Sequence, residues 1–377
     1  MENTSLRSFI GVPNLTVLKW LINHQLTTTE CNREGCMGEC YPIAQGDAVG
    51  LKCLVCNAVS KGGHRGFWRM GRMPTAQMVL VVYCVIRGFS LEICNDIIPI
   101  NKNTWTSYVK YVGMVCGEAL ERIRRDPGEK YYWAQWDETA FGKRKYHRGS
   151  RVRNGGVQWA LTAIQVDPIS GKSEALDIQF LPLNQRSADQ ITPLIVQRMR
   201  PGGTIFTDCW KAYPIAAKAA KCQHKTVNHS EGFINRETGV HTNNVEGIHA
   251  TLKKDARKQF GRLPYLTSDG KPYYIDICNW RVNQGLQKRS VWPAFCRILQ
   301  TWTKDPLEGW KNIVAMVEED DVVEDEQEVD ELEEDKLEED ELEEDEVVEE
   351  QEDDDNVPDM PEVDEVLNDY LRYHVNV

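Results

Sequence analysis

The pattern of hydrophobic and polar positions divides the chain into regions of different secondary structure. Between residues 74 and 125, apolar residues recur at helical spacing, and Gly88 and Pro99 interrupt them. This spacing predicts helices at 75–87, 90–97 and 103–125. After Asp126-Pro127-Gly128 the pattern changes to short apolar or aromatic runs that alternate with amphipathic segments, which indicates a mixed α/β domain.

In this second region the runs predict five strands and three helices. The strands are expected at 131–137, 156–166, 175–181, 204–207 and 225–228, and the helices at 188–199, 213–220 and 244–259. Three leading strands, a helix, a further strand and a closing helix match the layout of a ribonuclease H-like (RNase H-like) core. The fold class we predict is therefore α/β. Residues 262–313 are predicted to be mainly helical.

The acidic residues are concentrated near the C-terminus. The formal net charge is −14, but the segment from Glu318 to Glu365 contains 31 Asp and Glu residues against the single Lys336. That segment carries −30, which leaves +16 for the rest of the chain. A basic body points to a polyanionic partner such as nucleic acid. We expect the acidic segment to be disordered, with solubilisation as its simplest role and competition for the DNA surface as the alternative.

Five clustered cysteines near the N-terminus predict a zinc site. The first apolar residues are too few and too interrupted for a secretory segment or a membrane span, so we expect reduced thiols. Cys53 and Cys56 form a Cys-x2-Cys pair, and a second cysteine pair upstream gives the spacing of a zinc ribbon. Cys31 with Cys36 and Cys36 with Cys40 are both feasible first pairs. The expected ligands are Cys31, Cys36, Cys53 and Cys56, with Cys40 as a substitute.

The three predicted helices between residues 61 and 127 resemble a helix-turn-helix. Its last helix would present polar residues to the major groove of DNA, namely Asn103, Thr104, Thr106, Ser107 and Lys110. A helical linker bundle with no role in DNA reading is the alternative.

Three carboxylates in the α/β region suggest a shared metal site. Asp137 and Asp208 each end an apolar run that indicates a buried strand, and Glu246 begins a polar, basic helix. Oxygen ligands suit Mg or Mn, and phosphodiester chemistry commonly uses two such ions. Asp137 is the expected bridging ligand, with Asp208 and Glu246 each binding one ion. Lys253 lies two helical turns after Glu246, on the same face, where it can contact a phosphate.

A basic run after the first strand predicts contacts with DNA phosphates. The residues expected to bind DNA are Lys143, Arg144, Lys145, Arg148, Arg151, Lys253 and Lys254. A solvated hairpin tip is the alternative for the first five. His229 and His241 lie on either side of a polar loop before Glu246, where they can orient substrate or cap the helix.

Four ordered blocks carry a resemblance to a known family. They are Asp137-Glu138-Thr139-Ala140-Phe141-Gly142-Lys143-Arg144-Lys145-Tyr146-His147-Arg148-Gly149, Thr207-Asp208-Cys209-Trp210-Lys211-Ala212-Tyr213, Val227-Asn228-His229-Ser230 and His241-Thr242-Asn243-Asn244-Val245-Glu246. Between Cys31 and Lys258 the chain resembles the Merlin superfamily of cut-and-paste DDE transposases and its bacterial insertion-sequence relatives.

The resemblance implies a function and an organisation. It implies an RNase H-like nuclease and strand transferase whose triad matches Asp137, Asp208 and Glu246, with Lys253 as the helix lysine. Some bacterial relatives have Asn or His in the third place, which keeps Asn243 and Asn244 open as contributors.

The expected partner is double-stranded DNA, both terminal inverted repeats and target. A homodimer or higher oligomer is expected, with no membrane partner, and the nucleus is the expected location in a eukaryote. The alternative is a domesticated, transposase-derived DNA-binding or chromatin protein without catalysis.

The predicted domains follow from these assignments. They are an N-terminal helix (1–30), a zinc ribbon (31–60), a helix-turn-helix-like region (61–127), an RNase H-like DDE domain (128–260), a helical extension (261–316), an acidic tail (317–365) and a C-terminal segment (366–377).

Overall fold

The computed structural model describes most of the chain between residues 9 and 304. The described ranges are 9–31, 33–46, 48–61, 67–68, 73–125, 130–141, 158–167, 169–170, 172–182, 185–230, 234–235, 240–260, 272–286 and 289–304. The chain divides into units 1–310 and 311–377. The predictions for the acidic tail, the C-terminal segment and the basic residues Lys143, Arg144, Lys145, Arg148 and Arg151 lie outside the described residues.

The N-terminal part combines a short helix with a small antiparallel sheet. Helix α1 (Asn14–Asn23) is followed by β1 (Cys40–Gln45), β2 (Ala48–Cys53) and β3 (Val59–Lys61), in the order β1-β2-β3. Leu18 of α1 packs against Val49 and Leu51 of β2. Such a small core buries little apolar surface, so it gains stability from an additional cross-link such as a metal site.

Three helices connect this part to the larger sheet. They are α2 (Thr75–Arg87), α3 (Leu91–Ile97) and α4 (Lys102–Arg125), within a residue of the predicted bounds. Gly88 ends α2 with a φ of 83°, and the Ser90 hydroxyl accepts a hydrogen bond from Ile93 N–H to cap α3. Helix α2 is buried on nearly all sides from Met78 to Ile86, so it lies inside the molecule.

The larger sheet contains β4 (Tyr131–Phe141), β5 (Gln158–Val166), β6 (Ser173–Phe180), β7 (Met199–Thr207) and β8 (Gln223–Thr226). Its order is β6-β5-β4-β7-β8. Strands β4, β7 and β8 are parallel, whereas β5 is antiparallel to both of its neighbours. This mixed order is consistent with the predicted RNase H-like core.

Helices cover both faces of this sheet. On one face lie α5 (Ala188–Arg198) and α6 (Ala212–Ala219), and on the other lie α7 (Asn243–Phe260) and α8 (Tyr273–Leu286), which is followed by α9 (Val291–Lys304). Trp136 of β4 packs toward α5 and α6, and Phe141 packs toward α7 and α8. This alternation assigns each residue near the middle of β4 to one face.

A buried ion pair joins α4 to the edge of the sheet. Arg124 donates to Asp177 Oδ1 of β6 at 2.8 Å, and it also donates to the Ile178 carbonyl at 3.0 Å. Both charged side chains are almost fully buried. Within the described residues, no helix is both long and apolar enough to cross a membrane.

Candidate active site and zinc site

Asp137 and Asp208 occupy equivalent positions on adjacent parallel strands. The pairing of β4 with β7 matches Ala134 to Ile205 and Gln135 to Phe206. Two residues further along each strand, the same register brings Asp137 beside Asp208, which directly follows β7. Sites in α/β sheets commonly form at the carboxyl ends of parallel strands.

The expectation that Asp137 ends its strand is wrong. Strand β4 continues to Phe141 because Asp137 and the four residues after it remain paired with β5, from Asp137 opposite Thr162 to Phe141 opposite Gln158. The pairing of β4 with β7 ends at Gln135. Asp137 therefore lies just beyond the end of the pairing with β7, while the pairing with β5 on the other side still fixes its backbone.

The Asp137 carboxyl is partly buried among other acids. Its pKa is raised to about 7, mainly by burial and in smaller part by the neighbouring charges of Glu138, Asp208 and Glu246. The last two effects place Asp208 and Glu246 near enough to Asp137 to act on its charge. Such a cluster of acids costs free energy unless a cation neutralises it.

Glu138 is a second buried acid, and the sequence analysis did not assign it a role. Its side chain is 3% exposed and lies 3.9 Å from Arg186. Burial raises its pKa to about 7, Asp208 adds to this effect, and Tyr213 of α6 and Arg186 oppose it. Because adjacent strand residues point to opposite faces, Glu138 faces α6 and Asp137 faces α7. Its direct adjacency to Asp137 is the sequence signal that identifies it.

Glu246 lies in the first turn of α7, where a small hydrogen-bond network holds it. The Thr242 hydroxyl donates to Glu246 Oε1 at 2.8 Å. With its hydrogen used there, Thr242 Oγ1 accepts from His229 Nε2 at 3.1 Å, and His229 Nε2 is also 3.4 Å from Glu246 Oε1. His229 thus contacts the acid and its hydrogen-bond partner, a role that differs from the expected ones of orienting substrate or capping the helix.

Gln135 attaches the start of α7 to β4. Its Oε1 accepts from the Val245 backbone N–H at 3.2 Å, and its Nε2 lies 3.4 Å from His241 Nδ1. The side chain of Gln135 is buried. This contact brings the first turn of α7, and with it Glu246, to the strand that carries Asp137.

Helix α7 presents two further groups to the same face of β4. Lys253 Nζ donates to Thr139 Oγ1 at 2.7 Å and lies 5.5 Å from the Phe141 ring centroid. His249 Nδ1 lies 3.7 Å from Asp137 Oδ2. Residues 246, 249 and 253 are three and four apart, which gives them one helix face. Sequence reasoning found Lys253 but missed His249, although the same spacing includes it.

The carboxylates of Asp137, Asp208 and Glu246 are further apart than the ligands of a single metal ion would be. Among the described His, Cys, Asp and Glu residues, Asp137, Asp208 and Glu246 do not all have ligand atoms within 4.8 Å of one another. A two-ion site does not require this, because the outer ligands of two ions about 3.5–4 Å apart bind different ions. The oxygen donors present fit Mg or Mn.

Four cysteines meet as expected for a structural zinc site. The Sγ atoms of Cys31, Cys36, Cys53 and Cys56 all lie within 4.8 Å of one another. The Cys31–Cys56 and Cys36–Cys53 Sγ distances are 3.6 and 3.7 Å. A tetrahedron of sulfurs about 2.3 Å from zinc has edges of about 3.8 Å. The geometry is therefore compatible with zinc.

Cys40, the alternative ligand, lies outside this group. It is buried in β1 opposite Cys53 in the strand register, and it packs in the small core with Leu18 and Leu51. Among the described residues, the group of sulfur atoms within 4.8 Å of one another consists of the other four cysteines, so the structure does not support Cys40 as a substitute ligand.

The remaining predicted DNA-binding residues within the described part are on the surface. Lys254 is exposed on α7, and Asn103, near the start of α4, is exposed as well. From Tyr108 onward, apolar residues of α4 are buried, and Gly113 and Gly117 lie directly against α8. The first turn of α4 is therefore accessible to an outside partner, as is Ile123 near its end.

Comparisons with known proteins give one family match and a structural similarity. Residues 135–283 match the family model described as the ISXO2-like transposase domain. This segment contains all four predicted catalytic residues, and the match supports a transposase domain in this part of the chain. The chain is also similar to a solved structure, "Crystal structure of the Mos1 Strand Transfer Complex", with 14% identity and a TM-score of 0.24. That similarity covers 55% of this chain and 61% of the other. No curated protein matches this sequence.

Proposed function

We propose that this protein is a DDE transposase that cleaves DNA at terminal inverted repeats and joins the ends to target DNA in the presence of Mg or Mn. The observation that carries the proposal is the register of β4 with β7, whose last pair, Gln135 with Phe206, lies two residues before Asp137 and Asp208 at one end of the sheet. The electrostatic effect of Glu246 on Asp137 adds the third acid. The family match over residues 135–283 supports the same reaction class.

The residues have distinct roles in this proposal. Asp137, Asp208 and Glu246 would hold the divalent ions, which would supply activation of water or a 3′-hydroxyl and neutralisation of charge on the phosphate. Lys253 contacts a phosphate beside the scissile bond, exchanging its hydrogen bond to Thr139 for a stronger, charge-assisted one. Thr242 and His229 hold the Glu246 carboxylate in the orientation that it needs.

The rest of the chain supplies DNA recognition in this proposal. The zinc ribbon and the start of α4 bind the terminal inverted repeats, and Lys254 with the basic residues between 143 and 151 binds flanking phosphates. Two ends must be held together for joining, so the active form is a homodimer or a higher oligomer. We assign the protein to the Merlin superfamily and, in a eukaryotic cell, to the nucleus.

A cleavage assay tests the proposal. Labelled duplexes that contain the inverted repeats flanking the coding region are incubated with the full chain and Mg²⁺ or Mn²⁺. We expect strand nicks at the repeat ends and, with added target DNA, joined products. Asp137→Ala and Asp208→Ala should reduce both products to background. The proposal fails if the wild-type protein gives no cleavage, or if both variants cleave as well as the wild type.

A matched variant controls for the loss of an acidic charge. Asp189 lies in the first turn of α5 and is exposed. Asp189→Asn removes one carboxylate of the same chemical type from the surface of the same sheet domain. It should cleave like the wild type, so that a loss confined to Asp137 and Asp208 reports on the site itself.

A further inference from the structure

The two oxygens of Asp137 have different environments. Oδ1 accepts a hydrogen bond from the Glu138 backbone N–H at 2.8 Å, which is a fixed part of the strand. Oδ2 faces His249 Nδ1 at 3.7 Å. His249 is the side chain of α7 that approaches this oxygen, and it is 8% exposed. One oxygen of the carboxylate is therefore held by a backbone hydrogen bond, and an imidazole nitrogen lies near the other oxygen, just beyond hydrogen-bond distance.

His249 is buried in a way that apolar packing does not explain. Its Nε2 atom is buried and has no hydrogen-bond partner within the described residues. The Thr162 hydroxyl, on β5 directly opposite Asp137, is also buried without a partner in the described part of the chain. An unsatisfied buried polar group costs about 1–3 kcal/mol. A leucine at this position of α7 would avoid that cost, so the imidazole has a use that offsets it.

Nδ1 is the ring nitrogen of His249 that lies nearer to Asp137 Oδ2. A neutral imidazole donates from one ring nitrogen and accepts at the other. In the tautomer that carries its hydrogen on Nδ1, that nitrogen is the donor to Asp137. Functional hydrogen bonds are often long before substrate or ions bind.

We infer that His249 is a positioning residue, which donates from Nδ1 to Asp137 Oδ2 and thereby holds the carboxylate in the orientation required to bind a divalent cation. This inference rests on the proposed function, because it assigns a supporting group to the same ion site. Groups that hydrogen-bond to metal ligands typically change metal affinity by 10–100-fold when they are removed.

The test measures Mn²⁺ affinity and thermal stability on the same full-length variants. His249→Leu and His249→Phe remove the donor, and His249→Gln retains an N–H donor. We expect the first two to weaken Mn²⁺ binding by about 10–100-fold and to leave the melting temperature of the metal-free protein unchanged or higher. His249→Gln should restore much of the affinity. A purely structural histidine gives the opposite pattern, a lower melting temperature with unchanged Mn²⁺ affinity.

Gln259 provides a matched control on the same helix. Its side chain is 2% exposed, its Nε2 donates to the Val85 carbonyl at 2.7 Å and its Oε1 accepts from Arg281 at 2.7 Å. Gln259→Leu therefore breaks a buried polar contact of α7 away from the carboxylates. It should lower the melting temperature and leave the Mn²⁺ affinity unchanged, which shows that weakening α7 does not by itself release the ion.

Asp137→Asn separates the two ways in which the experiment can fail. The acidic segment from Glu318 to Glu365 will also bind Mn²⁺ weakly, so the site-specific signal is the component that Asp137→Asn removes. If Asp137→Asn removes nothing, the proposed function fails. If Asp137→Asn removes a binding component that His249→Leu and His249→Phe both leave intact, the positioning role of His249 is wrong and the ion site stands.

Discussion

Lys253 donates a hydrogen bond of 2.7 Å to Thr139, a residue of the strand that carries Asp137, across 114 positions of sequence. Thr139 and Asp137 are two residues apart, so their side chains share a face of β4. The ammonium group is thus held next to the proposed ion site before any substrate binds. Lys254, the next residue, is exposed.

This difference predicts separate effects for the two lysines. Lys253→Met should reduce cleavage of inverted-repeat DNA much more than it reduces binding, because the charge acts at the reacting phosphate. Lys254→Met should weaken binding and lower the slope of log affinity against log salt by about 1. Salt-dependent binding and single-turnover cleavage measure the two effects. Equal effects of both variants on cleavage would contradict the assignment.

A buried carboxylate held for a cation lowers stability when the cation is absent. The pKa of Asp137 is about 7 in the folded protein against an ordinary 3.8, so the folded state retains the proton longer than the unfolded chain does. Stability from this group is complete below pH 4 and is lost as the pH rises through 7. The pKa difference corresponds to at most about 4 kcal/mol.

Asp137→Asn should therefore stabilise the metal-free protein at pH 8. The gain over the wild type should shrink as the pH falls and disappear near pH 4. Thermal denaturation at several pH values in a chelating buffer measures it. Asp189→Asn, at an exposed position, should show no such gain. A loss of stability in Asp137→Asn at pH 8 would show that the carboxylate is not under electrostatic stress.

The cysteine geometry predicts which thiols retain zinc. Cys56→Ser removes one of four ligands and should release the metal and unfold the small N-terminal sheet, because binding free energy in such sites is folding free energy. Cys40→Ala should retain one zinc per chain and lose only packing. Zinc content by elemental analysis and chelator-induced release distinguish them. Zinc loss in Cys40→Ala with retention in Cys56→Ser would reverse the ligand assignment.

The contact of α4 with α8 leaves no room for a side chain at Gly113. A Cβ atom there would lie 2.7 Å from the Tyr273 carbonyl oxygen and 2.8 Å from its Cα. Gly113→Ala should destabilise the protein by about 1–3 kcal/mol because backbone atoms must move. Gly285→Ala in α8 has open space and should stabilise by about 0.5–1 kcal/mol. Chemical denaturation of both variants checks the difference in sign.

The buried Arg124–Asp177 ion pair should contribute far more to the free energy of unfolding than a surface ion pair with a similar N···O distance. Asp177→Asn leaves Arg124 and the nearby Arg198 with less compensation in a buried position, and should cost about 3–5 kcal/mol. The Glu118–Arg122 pair has a distance of 2.7 Å but a more exposed arginine, so Arg122→Ala should cost less than about 1 kcal/mol. Urea unfolding compares the two.

Much of the architecture follows from local patterns. Helix α2 has the predicted bounds, and α3, α4 and α7 are each within a residue of theirs, because apolar spacing and the stop signals Gly88 and Pro99 act over a few residues. The order of elements along the chain indicated an RNase H-like core, and the mixed sheet is consistent with it. The extension of β4 beyond Asp137 was missed because Glu138 and Thr139 are polar, and their pairing with β5 depends on a distant segment.

The sequence by itself determined the types of group available: three carboxylates, a helix lysine and five clustered cysteines in a basic body. Only the tertiary structure decided which of them meet. Four of the five clustered cysteines meet and Cys40 is left in the small core, and His249 comes near Asp137 where Gln135 attaches α7 to β4. These contacts depend on how segments about a hundred residues apart in the sequence pack together. Local periodicity predicts individual helices and strands, but it does not predict which distant segments come into contact.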